Sequence, residues 1–170
     1  ANGRTGANLF FGQVETGYRF DIGGLAAAYV TPFARLQAAT ATQNGFTESG
    51  AGALDLSVAA QTTNSLRSVL GAQLGGSMDL GWRERLAMQF KLGWGHEYAD
   101  TGRPVTASFV GAPALPFTTY GAAPQRDSVV LGLSATTAIA DATSVYFRYE
   151  GDVSSQDSSH ALTAGFRMTW

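Results

Sequence analysis

Charge in this chain obeys a period of two. Over seven segments, at residues 9–21, 25–41, 66–80, 85–98, 128–140, 144–153 and 161–170, apolar residues alternate with polar or small ones. Successive side chains of a strand point to opposite faces, so each segment divides into two sides. In the fourth, Leu86, Met88, Phe90, Leu92 and Trp94 stand against Arg85, Ala87, Gln89, Lys91 and Gly93. In the seventh, Leu162, Ala164, Phe166, Met168 and Trp170 stand against Thr163, Gly165, Arg167 and Thr169. Across all seven the apolar side carries no charge. The other side collects Glu15, Asp21, Asp79, Glu97, Glu150 and Asp152 with Arg19, Arg35, Arg67, Arg85, Lys91, Arg148 and Arg167. Glycine, serine and threonine interrupt every apolar stretch, which disfavours helices. The chain is expected to be all-β.

Two architectures use such one-sided strands. A soluble lipocalin-like barrel turns its apolar face inward and its charges to water. A transmembrane barrel turns the apolar face to lipid and the charges to the lumen, where an Arg or Lys on the wrong side costs about 2–4 kcal/mol at the midplane. The small residues mixed with the charges suit a polar interior, and the nine residues from Leu86 to Trp94 approach the ~9–11 that a tilted strand needs to cross. We therefore expect an antiparallel transmembrane β-barrel of outer-membrane type, with a soluble ligand carrier as the second reading. Trp82 and Trp170 fit one interfacial girdle of aromatic rings, and Trp94 and Tyr98 the other. The charged fraction of 14% is low, and the single lysine with a net charge of −2 excludes a nucleic-acid partner. The absence of cysteine excludes disulfides and thiolate metal sites. No cofactor or metal is expected, and residues 1–170 read as one domain.

Connector lengths alternate as well: 22–24, 81–84 and 141–143 are short, while 42–65, 99–127 and 154–160 are long. Outer-membrane barrels place short turns in the periplasm and long loops outside, which would put the C-terminus in the periplasm. The second long loop holds four of the five prolines and is not regular sheet throughout, and an extra hairpin is expected around 53–60. Pro32 lacks a ladder donor, so a bulge or lost bond is expected there. Seven strands cannot close an antiparallel barrel. The chain is thus expected to be N-terminally incomplete, its edge covered by missing strands or a second chain.

At this level of detail the chain resembles the C-terminal translocator domain of classical autotransporters, the type V secretion systems of Gram-negative bacteria. The resemblance rests on Glu15-Thr16-Gly17-Tyr18-Arg19-Phe20, Thr31-Pro32-Phe33-Ala34-Arg35-Leu36-Gln37, Asn44-Gly45-Phe46-Thr47-Glu48, Leu66-Arg67-Ser68-Val69-Leu70-Gly71, Trp94-Gly95-His96-Glu97-Tyr98, the stretch Ala107-Ser108-Phe109-Val110-Gly111-Ala112-Pro113 and Tyr146-Phe147-Arg148-Tyr149, in that order. It implies about seven strands of a twelve-stranded barrel, with a linker of the protein's own N-terminal passenger threading the pore. It also implies that Thr163, Gly165, Met168 and Trp170 form the terminal signal read by the outer-membrane assembly machinery. Partners would be outer-membrane lipid, that machinery, and the passenger. Glu15, Arg19, Arg35, Arg67, Lys91, Arg148, Glu150, Asp152 and Arg167 are the expected lumen-lining set.

Catalysis has little to build on. His96 has Glu97 and Asp100 nearby in sequence, and His160 follows Ser158 and Ser159, but no spacing orders a third group around either ring. A barrel hydrolase is thus the third reading. Gly17, Gly71, Gly75, Gly93 and Gly132 share the charged side, either leaving room for a threaded segment or letting the sheet curve.

Overall fold

A computed structural model describes residues 1–23, 27–79, 81 and 85–169. It is all-β and antiparallel. In chain order the strands are β1 (Ala7–Gly17), β2 (Phe20–Gly23), β3 (Ala28–Gln43), β4 (Phe46–Thr47), β5 (Leu56–Val58), β6 (Gln61–Asp79), β7 (Arg85–Glu97), β8 (Pro104–Phe109), β9 (Phe117–Tyr120), β10 (Asp127–Ala140), β11 (Thr143–Val153) and β12 (Ser158–Met168). The main sheet runs β1-β3-β6-β7-β10-β11-β12, with β2 also paired to β3. Strands adjacent in the sheet are consecutive among the long segments, as in an up-and-down meander. No described helix is long and apolar enough to cross a membrane.

The seven alternating segments are the seven long strands. The first is split: it stops at Gly17 and resumes at Phe20. The break lies opposite Pro32, whose carbonyl accepts the Tyr18 N–H at 3.2 Å. Proline has no N–H to return, so the expected irregularity appears in the partner strand. Strand β6 begins at Gln61, five residues before the alternation of apolar residues becomes visible. Trp82 and Trp170 lie outside the described residues. Gly23 and Gly81, each at a φ of 76°, sit in two of the short connections, a conformation glycine adopts without steric cost.

Two compact units divide the chain. One comprises residues 14–36, 68–96 and 125–170. In it Leu133 lies opposite Phe90 and Gly132 opposite Lys91, Ser134 opposite Arg148 and Arg148 opposite Thr163, with register shifts at 138–140 and 21–23. These pairings place Lys91 of β7, Arg148 and Glu150 of β11 and Arg167 of β12 on one face, with Gly132 and Ser134 of β10.

The other unit comprises residues 1–13, 37–67 and 97–124 and contains a second sheet, β4-β5-β8-β9. The extra hairpin expected around 53–60 is formed by β4 and β5, antiparallel with Phe46 opposite Val58, so it starts earlier than expected; β5 also pairs with β8. The carboxylate of buried Asp55 accepts the Ala51 N–H at 2.8 Å. Its backbone carbonyl accepts the Val110 N–H at 2.8 Å, fixing the turn before β5 to the end of β8.

The exposure pattern separates the two architectures. Phe90, Leu92 and Trp94 on the apolar face are 46–49% exposed, whereas Val69 and Phe33 on the charged face are 1% and 5% exposed. Along β6, the odd-numbered residues from Gln61 to Gly75 are covered, while Thr62, Asn64, Leu66, Leu70, Ala72 and Leu74 are exposed. A water-soluble carrier would bury its apolar stripe. Here the stripe faces out, so the carrier reading falls.

Candidate functional site: the charged face

Glycines open space on this face, and the chain's own rings fill it. A Cβ on Gly71 would strike the backbone carbonyl of Leu92 and come within 2.7 Å of the Gly93 Cα and 2.9 Å of the Phe33 ring. A Cβ on Gly93 would lie 3.0 Å from Val69. One on Gly75 would strike the Tyr29 ring. Phe33 and Tyr29 thus lie across the neighbouring strand on a floor of glycine. Of the two readings for these glycines, room for a threaded segment fails at Gly71 and Gly75.

Ions are laid over that floor. Arg35 donates through Nε to Glu15 Oε2 at 2.6 Å, and its Nη2 reaches the same oxygen at 2.6 Å. The Lys91 ammonium stands 3.6 Å from that oxygen and 4.1 Å from the centre of the Phe33 ring. A cation over a ring face is attracted by the ring's quadrupole, more strongly where water is partly excluded. Arg19 repeats the arrangement, lying 3.8 Å over the Tyr29 ring and donating to Asp21 at 2.7 Å. Neutral amides join the layer where Gln89 donates to Gln73 at 2.8 Å.

The remaining predicted residues fall into place by register. Arg148, Glu150 and Asp152 alternate along β11, facing Thr163, Ala161 and Ser159 of β12. Arg167 lies opposite Ser144. Arg148, Glu150 and Arg167 line one cavity of about 450 Å³. Arg67 belongs to the other unit, near Glu97. Partial burial pushes the Glu97 carboxyl up. Hydrogen bonds from the Ser65 hydroxyl and the Ala99 and Leu66 N–H groups, with the Arg67 charge, outweigh that and hold it below its ordinary range.

Of the terminal set, Thr163 and Gly165 lie on the charged face, where a Cβ on Gly165 would stand 2.6 Å from the Tyr146 hydroxyl. Met168 lies on the apolar face, 57% exposed.

Both histidines take partners other than those nearest in sequence. His96 Nδ1 lies 2.8 Å from Asp127 Oδ1, and that oxygen also accepts the Trp94 indole N–H at 3.0 Å. His160 Nδ1 lies 2.9 Å from the Tyr149 hydroxyl. All five residues sit on the apolar side of their strands, so Asp127 places a carboxylate there that the alternation misses: β10 starts one residue before the apolar pattern does. Rings with a polar edge tied to such groups suit a level where hydrocarbon meets water. Among the described residues, no group of three or more His, Asp or Glu could hold a metal ion.

The family model described as the autotransporter beta-domain matches residues 1–150. No curated protein matches the chain.

Proposed function

The chain belongs to the autotransporter beta-domain family, an outer-membrane β-barrel domain of type V secretion, and we propose that it supports passage of an N-terminal passenger to the cell surface. The observation that carries this reading is the inverted sheet: an apolar face turned out, with Asp127 only at the very start of β10, and a face of ions and amides kept for the interior. In a closed barrel that second face is a lumen lined by Glu15, Arg19, Arg35, Arg67, Lys91, Arg148, Glu150, Asp152 and Arg167. That face presents ions, amides and hydroxyls, so a polar, unfolded polypeptide meets few apolar surfaces on which to adhere. The domain acts as a conduit rather than an enzyme in this reading.

The reading also assigns the ends of the sheet. β1 and β12 are the terminal strands of the sheet order, and unpaired backbone groups in lipid cost several kcal/mol each. Further strands of the same barrel cover them. Strand β12, with Thr163, Gly165, Met168 and Trp170, is the strand captured by the assembly machinery through strand addition. Its C-terminus faces the periplasm, on the side of the short connections.

Removing residues 1–170 from the full-length protein tests the function. The passenger of the intact protein is expected to be cleaved by protease added outside cells, and that of the truncated protein to be protected. A passenger that still reaches the surface without these residues overturns the proposal.

A further inference from the structure

The apolar face of β7 and β10 carries one acid, Asp127, at the very start of β10. It lies opposite His96, and the next pairs along the same face are Val129 with Trp94 and Leu131 with Leu92. Asp127 Oδ1 accepts the Trp94 indole N–H at 3.0 Å and stands 2.8 Å from His96 Nδ1. Both of these bonds fall on one oxygen, and Oδ2 remains for a further donor. Arg126, the next residue in the chain, acts on the carboxylate through its charge. The Asp127 side chain is 61% exposed. The indole is exposed as well, and the His96 ring flanks it at 5.5 Å and 40°. Farther along the face, exposed Leu92, Val129 and Leu133 continue the apolar surface.

We infer that Asp127 and Trp94 form a receptor for the primary ammonium of a lipid headgroup, whose acyl chains lie along Leu92, Val129 and Leu133. The inference rests on the apolar face meeting lipid and is independent of the conduit reading. A primary ammonium offers three N–H donors with its charge, so Oδ2 accepts a charge-assisted bond from it. The face of an indole attracts a cation more strongly than any other side-chain ring does. Donating its N–H to a carboxylate leaves that ring richer in electrons. A quaternary ammonium would still meet the ring, yet it has no N–H to give to Oδ2. A headgroup of net negative charge would be repelled by Asp127. Continuity fixes the source of the ammonium: a soluble amine would leave the leucines and valine beside the receptor uncovered, whereas a lipid covers both.

The test uses the full-length protein in vesicles of equimolar phosphatidylethanolamine and phosphatidylcholine with identical acyl chains. A photocrosslinking amino acid replaces Leu92 beside the receptor or, as a reference, Ile139 near the other end of β10. At position 92 the captured lipid is expected to be phosphatidylethanolamine by about threefold, a preference within the range of exposed ion pairs. At position 139 the two lipids should be captured equally. Asp127→Asn should bring the ratio at 92 to about one, and Asp127→Glu should restore part of it. Equal capture at 92, the same preference at 139, or an unchanged ratio in Asp127→Asn overturns the inference. If the asparagine variant does not assemble, the contrast between 92 and 139 in the otherwise native chain decides alone. Lipid captured at both positions without preference sinks the receptor and leaves the outward apolar face standing; no lipid at either position sinks both.

Discussion

The Lys91 ammonium lies 4.1 Å from the centre of the Phe33 ring, and the ring in turn lies against Gly71 and Gly93 of the two strands between β3 and β10. The cation is therefore placed by an aromatic ring whose seat exists because two residues lack side chains. Gly71→Ala puts a methyl against backbone, the Leu92 carbonyl and the Gly93 Cα, which no rotamer change relieves. We expect it to cost about 1–3 kcal/mol, as overpacking does. Gly132→Ala meets the Lys91 Cβ at 3.0 Å, a contact relieved by a shift of a few tenths of an ångström, and should cost less than Gly71→Ala. Urea midpoints of the full-length protein in micelles compare the two; equal effects would show that Phe33 is not seated as described.

Glu15 holds two cations with one oxygen, so its removal should be felt by both. Glu15→Gln leaves Arg35 and Lys91 facing each other without a counter-charge. The side chains retain 17–34% of their exposure, which places the cost near the lower end of the ~1–3 kcal/mol for losing a charged hydrogen-bond partner. In double-mutant cycles the Glu15–Arg35 coupling should exceed the Glu15–Lys91 coupling, because the contacts are 2.6 and 3.6 Å. The opposite order would mean that Lys91 is the principal partner.

How much of this was readable beforehand depends on side-chain size. Alternation located β7, β10 and β11 to within a residue or so, because each turns a row of large apolar groups to one side. It missed the start of β6, where Thr62 and Asn64 occupy the outward positions that Leu66 and Leu70 fill farther along. The second sheet was missed because β4 and β5 are two and three residues long, too short to show a period. Phe33 and Val69 were invisible for a different reason. They are apolar residues on the charged side, and only the glycines across from them explain their burial. The charged ladder itself was legible; which ions meet was not, since Lys91 reaches Glu15 past two intervening strands, β3 and β6.

Glu97 gives the outer end of β7 a pH dependence. It lies beyond the Leu86–Trp94 stretch, and its carboxyl is held below the ordinary value of about 4.3 by its hydrogen bonds and Arg67. A depressed folded pKa means stability that is complete above the unfolded value and lost as pH falls through the folded one. The advantage of the native chain over Glu97→Gln should therefore be constant near neutrality and shrink below about pH 4. A gap that persists into stronger acid, followed by chemical denaturation, would show that the charge of Glu97 contributes nothing.

Sidedness is the quantity from which the rest descends, and adjacent residues measure it. Phe90 and Lys91 follow one another on β7, opposite Leu133 and Gly132 of β10, so spin labels at the two positions project to opposite faces. In lipid vesicles the label at 90 should collide mainly with oxygen, which partitions into acyl chains. The label at 91 should respond to a water-soluble relaxing agent. The same geometry predicts that Phe90→Arg costs about 2–4 kcal/mol if it lies near the midplane, whereas Gln89→Arg is accepted on the polar side. Reversed accessibilities, or tolerance of Phe90→Arg, would place the apolar stripe indoors and return the chain to the soluble barrels.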